Sequence, residues 1–349
     1  MIATQKLTHH NLIPLLMNMM TKNTFSPPLV LRNAHVQSIF NSVGPRKFRA
    51  KRIAKKLNSK PLVLSTPLNI RLTAEFDYCE DIYTGTSKNA VIVLLHGWEG
   101  SSQSAYQLTT AHYLLKHGYD VLRLNLRDHG ESHHLNKGMF NSTMIGEVGD
   151  AIASFLKEYE YRNVFLAGFS LGGNFTLRIT ADRAKELTIK AAVGICPPVD
   201  PNSAMIALNN SLFIYEKYFF RRWTRSIRKK QKHFPDHGFS TELKKVKTLD
   251  DINNTFIPKY TPFDDAQSYF ASYALTGDRL KELAVPAYLI ASKDDPIIPI
   301  EDIDKIIAHE NLVVEIQENG GHCGFIQDLS AHSWIEPRLV EIFNSYLKA

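Results

Sequence analysis

The stretch LAGFSLGGN, residues 166–174, decides how the chain is read. It follows a short apolar run and opens a helix-like segment. Within it, Gly168-Phe169-Ser170-Leu171-Gly172 has the pattern of a nucleophile elbow, where a strand turns sharply into a helix and exposes a serine hydroxyl. Glycine is needed two residues either side, because a β-carbon would collide in so tight a turn. Serine and glycine are common residues, so the pentapeptide carries weight only through its surroundings.

Those surroundings alternate. AVIVLLHG, residues 90–97, is an apolar, β-branched run of the kind buried on both faces of a parallel sheet. A helical pattern over 103–117 follows, then the strand DVLRLNL (120–126), a helix over 144–160, the strand NVFLAG (163–168), a helix after Ser170 and the strand KAAVGIC (190–196). Residues 61–79 read as two strands joined at Pro67-Leu68-Asn69. The alternation breaks at PPVDP (197–201), and an aromatic, basic, helical stretch runs to about Lys281. Strand-like VPAYLIAS (285–292), a helix over 301–309, the strand NLVVEIQ (311–317) and a final helix from Ser333 complete the chain. The expected fold class is α/β: a mainly parallel sheet flanked by helices, with a helical cap insertion. The expected division is an N-terminal arm over 1–60, a core over 61–196 and 281–349, and the cap over 197–280.

Composition fits an ordinary globular protein: 349 residues, 44% hydrophobic and 22% charged. Cys79, Cys196 and Cys323 form no CxxC or disulfide pattern, which points to buried bystanders in a reducing compartment. The apolar stretch Leu12–Met20 is interrupted by Pro14 and Asn18 and is too short to span a bilayer, so a flexible or docking arm is expected there. A cytoplasmic location follows, with peripheral membrane contact allowed. Net charge is +6, but it is concentrated. Arg46 to Lys60 holds eight Lys or Arg and no acid, and Arg221 to Lys247 holds ten against Asp236 and Glu242. Such runs are either solvated helix faces or sites for an anionic partner. In the second run, Phe213, Tyr215, Tyr218, Phe219, Phe220 and Trp223 lead into the cations. That suits a lid in weak, reversible contact with anionic membrane, and no nucleic-acid fold accompanies it.

In this architecture a nucleophile is followed by an acid after a late strand and a histidine after the last one. The chain supplies ASKDDPIIP (291–299) and NGGHCGF (319–325), which puts His322 in the role of base. LLHGWEGSS (94–102) closes the first buried strand, so the N–H groups of Trp98 and Leu171 are the expected oxyanion hole. His96 is read as a structural residue of that turn. RDHGES (127–132) is read as a loop near the site, and adjacent His133 and His134 lack a third ligand at metal spacing. Neither GxxxxGK[ST] nor GxGxxG occurs, so no cofactor and no metal are expected.

These residues resemble the α/β-hydrolase superfamily and, within it, the YheT-like (AB hydrolase 4) group of serine esterases. The narrower likeness rests on LRNAHVQSIF (31–40), GFSLGGN, CPPVDP, DDP and GGHCGF, and runs from about Pro28 to the C-terminus. Its specific part is Asn33, His35 and Gln37; Ser38 stands where the group often has Thr. No role for the three is evident from sequence beyond packing that shapes the pocket. The resemblance implies hydrolysis of carboxylic esters, acylglycerols or other lipid esters among them, by Ser170, Asp295 and His322 through an acyl-enzyme. Asp295 fits the Asp-x-[IV]-[IV]-Pro spacing, and Asp294 is the alternative acid. The rival readings are acyl transfer by the same triad and a non-catalytic protein that binds lipid or an anionic surface.

Overall fold

In a computed structural model of the chain, which describes residues 24–347, one sheet holds eight strands among the described residues. The stretch Leu12–Met20 lies outside them. Among the described residues, the α-helices α1 (Ala34–Ser42) and α2 (Pro45–Ala54) precede the sheet. Then come β1 (Lys60–Ser65), β2 (Arg71–Asp77), β3 (Ala90–Leu95), α3 (Ala105–Leu115), β4 (Asp120–Leu124), α4 (Ile145–Glu158), β5 (Asn163–Phe169), α5 (Leu171–Arg183) and β6 (Ile189–Ile195). Between β6 and β7 (Ala287–Ser292) lie α6 (Pro201–Asn210), α7 (Phe213–His233), α8 (Phe239–Leu243), α9 (Leu249–Tyr260) and α10 (Ala266–Ser272). β8 (Leu312–Gln317) and α11 (Ile335–Asn344) follow.

The strand order is β1-β2-β4-β3-β5-β6-β7-β8. β1 and β2 pair antiparallel with their neighbours, and β3 through β8 are parallel. Period-two geometry sorts the side chains of β3 between two cores. Ile92 and Leu94 pack with Leu114 of α3 and Phe343 of α11; Val91, Val93 and Leu95 pack with Ile152 of α4 and Phe175 of α5. Both faces are therefore covered, which is why these strands read as unbroken apolar runs.

Two details differ from the sequence reading. The helix expected over 301–309 is a 3-10 segment, Ile300–Lys305; Ile306 leaves it extended and bridges to Gly277. The basic runs also spend part of their charge internally. Arg46 is fully buried and, with Arg49, pairs with Glu336 at 3.4 Å, tying α2 to α11. Lys230 is buried and reaches Asp128 at 2.7 Å, tying α7 to the loop after β4. Buried charges persist where such partners satisfy them, and here the partners lie far away in sequence.

Candidate active site

Ser170 stands between β5 and α5 with φ 53° and ψ −122°, a conformation that side-chain-bearing residues rarely adopt. The flanking glycines follow from space. A Cβ on Gly168 would lie 2.1 Å from the Gly172 carbonyl oxygen, and one on Gly172 would lie 2.4 Å from that of Leu95. The elbow thus packs directly against the end of β3.

His322 lies in the loop after β8 and Asp295 in the loop after β7. The structure brings them together with Ser170: His322 Nε2 is 2.8 Å from Ser170 Oγ, and Nδ1 is 2.8 Å from Asp295 Oδ2. Asp295 Oδ1 accepts the N–H groups of Ile297 and Ile298, at 2.9 and 3.0 Å, which fixes the carboxylate. Asp294 points elsewhere and accepts the Gly321 N–H at 2.8 Å, bracing the histidine loop. Burial disfavours the cation of His322, but the Asp295 carboxylate and the Cys323 sulfur outweigh it and hold the imidazole well above its ordinary value of 6.5.

Trp98 and Leu171 line one cavity with Ser170 and His322. Leu171 heads α5, so its N–H has no acceptor within the helix. A Cβ on Gly97 would lie 3.2 Å from Ser170 Cβ, a tight contact, so the backbone before Trp98 runs close against the elbow. Two buried histidines brace that turn. His96 Nδ1 donates to Gly97 O at 2.8 Å and Nε2 accepts the Leu126 N–H at 3.1 Å. His129, in the RDHGES loop, donates from Nδ1 to Arg127 O at 2.6 Å and accepts the Glu99 N–H on Nε2 at 3.2 Å. Burial lowers His96 to about 3 and His129 to about 4, so both are neutral. His133 bonds Ser226 Oγ at 2.8 Å and is away from Ser170.

The N-x-H-x-Q element, whose role sequence did not reveal, is the floor of the histidine loop. Asn33 caps α1 by accepting the N–H groups of His35 and Val36. Gln37 is fully buried; its amide donates to Leu31 O and Ile326 O and accepts the Ile326 N–H at 2.6 Å. Ser38 Oγ accepts the N–H of His322 at 2.8 Å. His35 Nδ1 is 3.0 Å from Tyr215 Oη, a link from α1 to the first turn of α7. Gly321 and Gly324 sit so close to α1 that a Cβ on either would lie 2.4 Å from a carbonyl oxygen, of Ala34 and Gln37 respectively.

All three cysteines are buried, and Cys196 and Cys323 lie beside His322. The Cys323 N–H donates to Cys196 Sγ at 3.4 Å, and both sulfurs and a ring nitrogen of His322 lie within 4.8 Å of one another. A soft metal could be ligated by this trio only by competing for an imidazole whose two nitrogens already face Ser170 and Asp295. Cys323 has φ 60°, in the left-handed region.

Two cavities meet at Ser170. One, of about 100 Å³, is walled by α6, α7 and α10 side chains such as Met205, Leu208, Trp223 and Phe270, together with Ile297 and Ile298. The other, of about 510 Å³, opens between α2, the 97–101 turn and α7. Trp98, Phe219 and His322 line both, and Phe219 stacks on Trp98 with ring centroids 5.1 Å apart.

A mainly parallel sheet in which an elbow serine, a late-strand acid and a last-strand histidine share one hydrogen-bond chain defines the class of α/β hydrolases. The chain belongs to the Alpha/beta hydrolase family, whose match spans residues 92–331, and it is a hydrolase. An abhydrolase domain-containing protein of Dictyostelium discoideum is 24% identical over 339 residues, which cover 93% of this chain and 82% of that protein. The Escherichia coli protein YheT, named as an esterase on inference, is 25% identical over 271 residues, which cover 74% of this chain and 77% of its own. Among solved structures, an esterase of Pyrococcus furiosus superposes with a TM-score of 0.56 over 94% of this chain and 99% of its own, at 17% identity, a likeness of fold. Among the described residues no helix is long and apolar enough to cross a membrane.

Proposed function

We propose that the protein hydrolyses carboxylic esters through a covalent acyl-enzyme on Ser170. The observation that carries this reading is the continuous hydrogen-bond chain from Asp295 through His322 to Ser170, with 2.8 Å at each link. His322 Nε2 takes the hydroxyl proton as Ser170 Oγ attacks the ester carbonyl, then returns it to the departing alcohol. Asp295 fixes the Nδ1–H tautomer and stabilises the imidazolium. The N–H groups of Trp98 and Leu171 hold the oxyanion, aimed where charge develops rather than at the ground-state carbonyl. Water, activated by the same imidazole, releases the acid. The small apolar cavity takes the acyl chain.

The cap also gives this enzyme a surface for anionic membrane. Phe213 and Ile214 are 69% and 55% exposed at the start of α7, and Lys217, Arg221 and Arg225 follow on the same helix around a shallow hollow of about 350 Å³. The test of the catalytic reading is labelling with a fluorophosphonate probe. Wild type is expected to react at Ser170 and to release p-nitrophenol from p-nitrophenyl butyrate. Absence of both overturns it.

A further inference from the structure

The two cavities that meet at Ser170 are chemically unlike. Among the described residues, the wall of the 100 Å³ cavity holds no Asp, Glu, Lys or Arg. On the scale of a cavity of about 150 Å³ that accepts a benzene ring, its volume suits roughly four carbons. The 510 Å³ cleft is different: Lys47 and Lys51, one turn apart on α2, stand on one side of it, and Arg222 of α7 stands on the other. Lys47 and Lys51 are exposed, and among the described residues no carboxylate lies within ion-pair distance of either. Arg222 donates to the backbone carbonyl of Glu99 and lies over the Tyr218 ring at 5.7 Å, which fixes its guanidinium beside the cleft. Among the described residues, Glu99 is the single acid in the wall. Burial raises it to about 7, against the pull of Arg222, so it is partly neutral at neutral pH.

A tetrahedral intermediate on Ser170 Oγ must send its acyl chain and its alcohol in different directions. An apolar cavity with no formal charge solvates a hydrocarbon chain and rejects an ion. Three cations along the wider cleft favour an anion, and Lys and Arg at pocket walls are the side chains that recognise phosphate. We propose that the preferred substrate is a short-chain acyl ester whose alcohol part carries a phosphate, the acyl group lying in the small cavity and the phosphate between Lys47, Lys51 and Arg222. This rests on the esterase reading above and adds the substrate class to it.

The test compares butyrate esters that differ only in the alcohol: 1-butyrylglycerol 3-phosphate, monobutyrin and butyrylcholine. Wild type is expected to show kcat/KM about tenfold higher for the phosphate ester than for monobutyrin at low salt, as three partly screened charge contacts predict, and lower still for the choline ester. High salt should shrink the preference. The Lys47→Gln/Lys51→Gln double variant should bring the phosphate-to-neutral ratio towards one; because the ratio is internal, partial misfolding cannot mimic this. Protection of Ser170 against the fluorophosphonate probe by glycerol 3-phosphate, compared with glycerol, reads the same preference where turnover is slow. Equal kcat/KM and equal protection, a preference for the choline ester, or a phosphate preference that survives the double variant would each overturn the proposal. If Ser170 takes no probe and no ester turns over, it is the esterase reading that fails.

Discussion

The hydroxyl of Ser38 accepts the backbone N–H of His322 at 2.8 Å and donates to Ala34 O at 2.7 Å, so a residue near the start of the chain holds the histidine loop near its end. The backbone N–H lies one bond from the Cα that carries the imidazole, and the Ser170 contact depends on where that Cα sits. Ser38→Ala leaves the N–H unpaired at a cost of about 1–1.5 kcal/mol. The expected result is a five- to tenfold lower kcat at nearly unchanged KM, with Ser38→Thr close to wild type. Steady-state kinetics on p-nitrophenyl butyrate check this. A change confined to KM would point to pocket shape instead.

Ser170→Ala is expected to lower ester hydrolysis by roughly three orders of magnitude or more and to remove probe labelling. Alanine has to occupy the same φ of 53°, so the fold and the melting temperature should change little. A variant that keeps wild-type turnover excludes Ser170 as the nucleophile.

The neighbouring carboxylates divide their work. Asp295→Asn removes the charge that faces His322 Nδ1 and should cost about a thousandfold or more in kcat. Asp294→Asn keeps an oxygen that can still accept the Gly321 N–H, so the loss should be far smaller. The reverse ranking would make Asp294 the acid.

The imidazole must be neutral to accept the serine proton, and Asp295 favours its cation against the effect of burial. Raising the pKa delays the neutral form to higher pH. The acid limb of kcat/KM is therefore expected to have its midpoint above 6.5 and to move down in Asp295→Asn. Measuring kcat/KM against pH for both proteins checks the sign; an unmoved limb would mean that another group titrates.

Strands such as β3 and β5 were legible because burial on both faces leaves a continuous apolar signature, as in AVIVLL, whereas β8, at the sheet edge, is only partly buried. Ser170 and His322 were legible because this topology fixes the strand ends at which such groups must stand. Contacts across long separations in sequence were not. Nothing local in Asn33, His35 or Gln37 says that Gln37 bonds the backbone of Ile326, or that His35 meets Tyr215. Likewise the lysine run 229–230 looks uniform in sequence. Helix phase turns Lys230 inward to Asp128, while Lys229 pairs on the surface with Glu131. The approach of Cys323 to Cys196 was not legible either: with φ 60° the Cys323 backbone N–H meets Cys196 Sγ, which no spacing rule anticipates.

The exposed end of the cap gives the last prediction. Phe213 and Ile214 offer apolar surface, and Arg221, Arg225 and Arg228 are exposed along the helix behind them, whereas Lys230 is buried against Asp128 and cannot contribute. Each exposed cation near an anionic bilayer contributes on the order of 1 kcal/mol, weakened by salt. Wild type should therefore sediment with phosphatidylglycerol vesicles at low salt and be released at high salt. Arg221→Gln/Arg225→Gln/Arg228→Gln should abolish sedimentation, and Phe213→Ser should reduce it, while hydrolysis of p-nitrophenyl butyrate continues in both. None of these positions touches the Ser170 cavities, so loss of binding together with loss of turnover would indicate damage to the cap rather than to a membrane surface. If wild type stays in the supernatant at low salt, the cap's cations serve the protein in some way other than membrane contact.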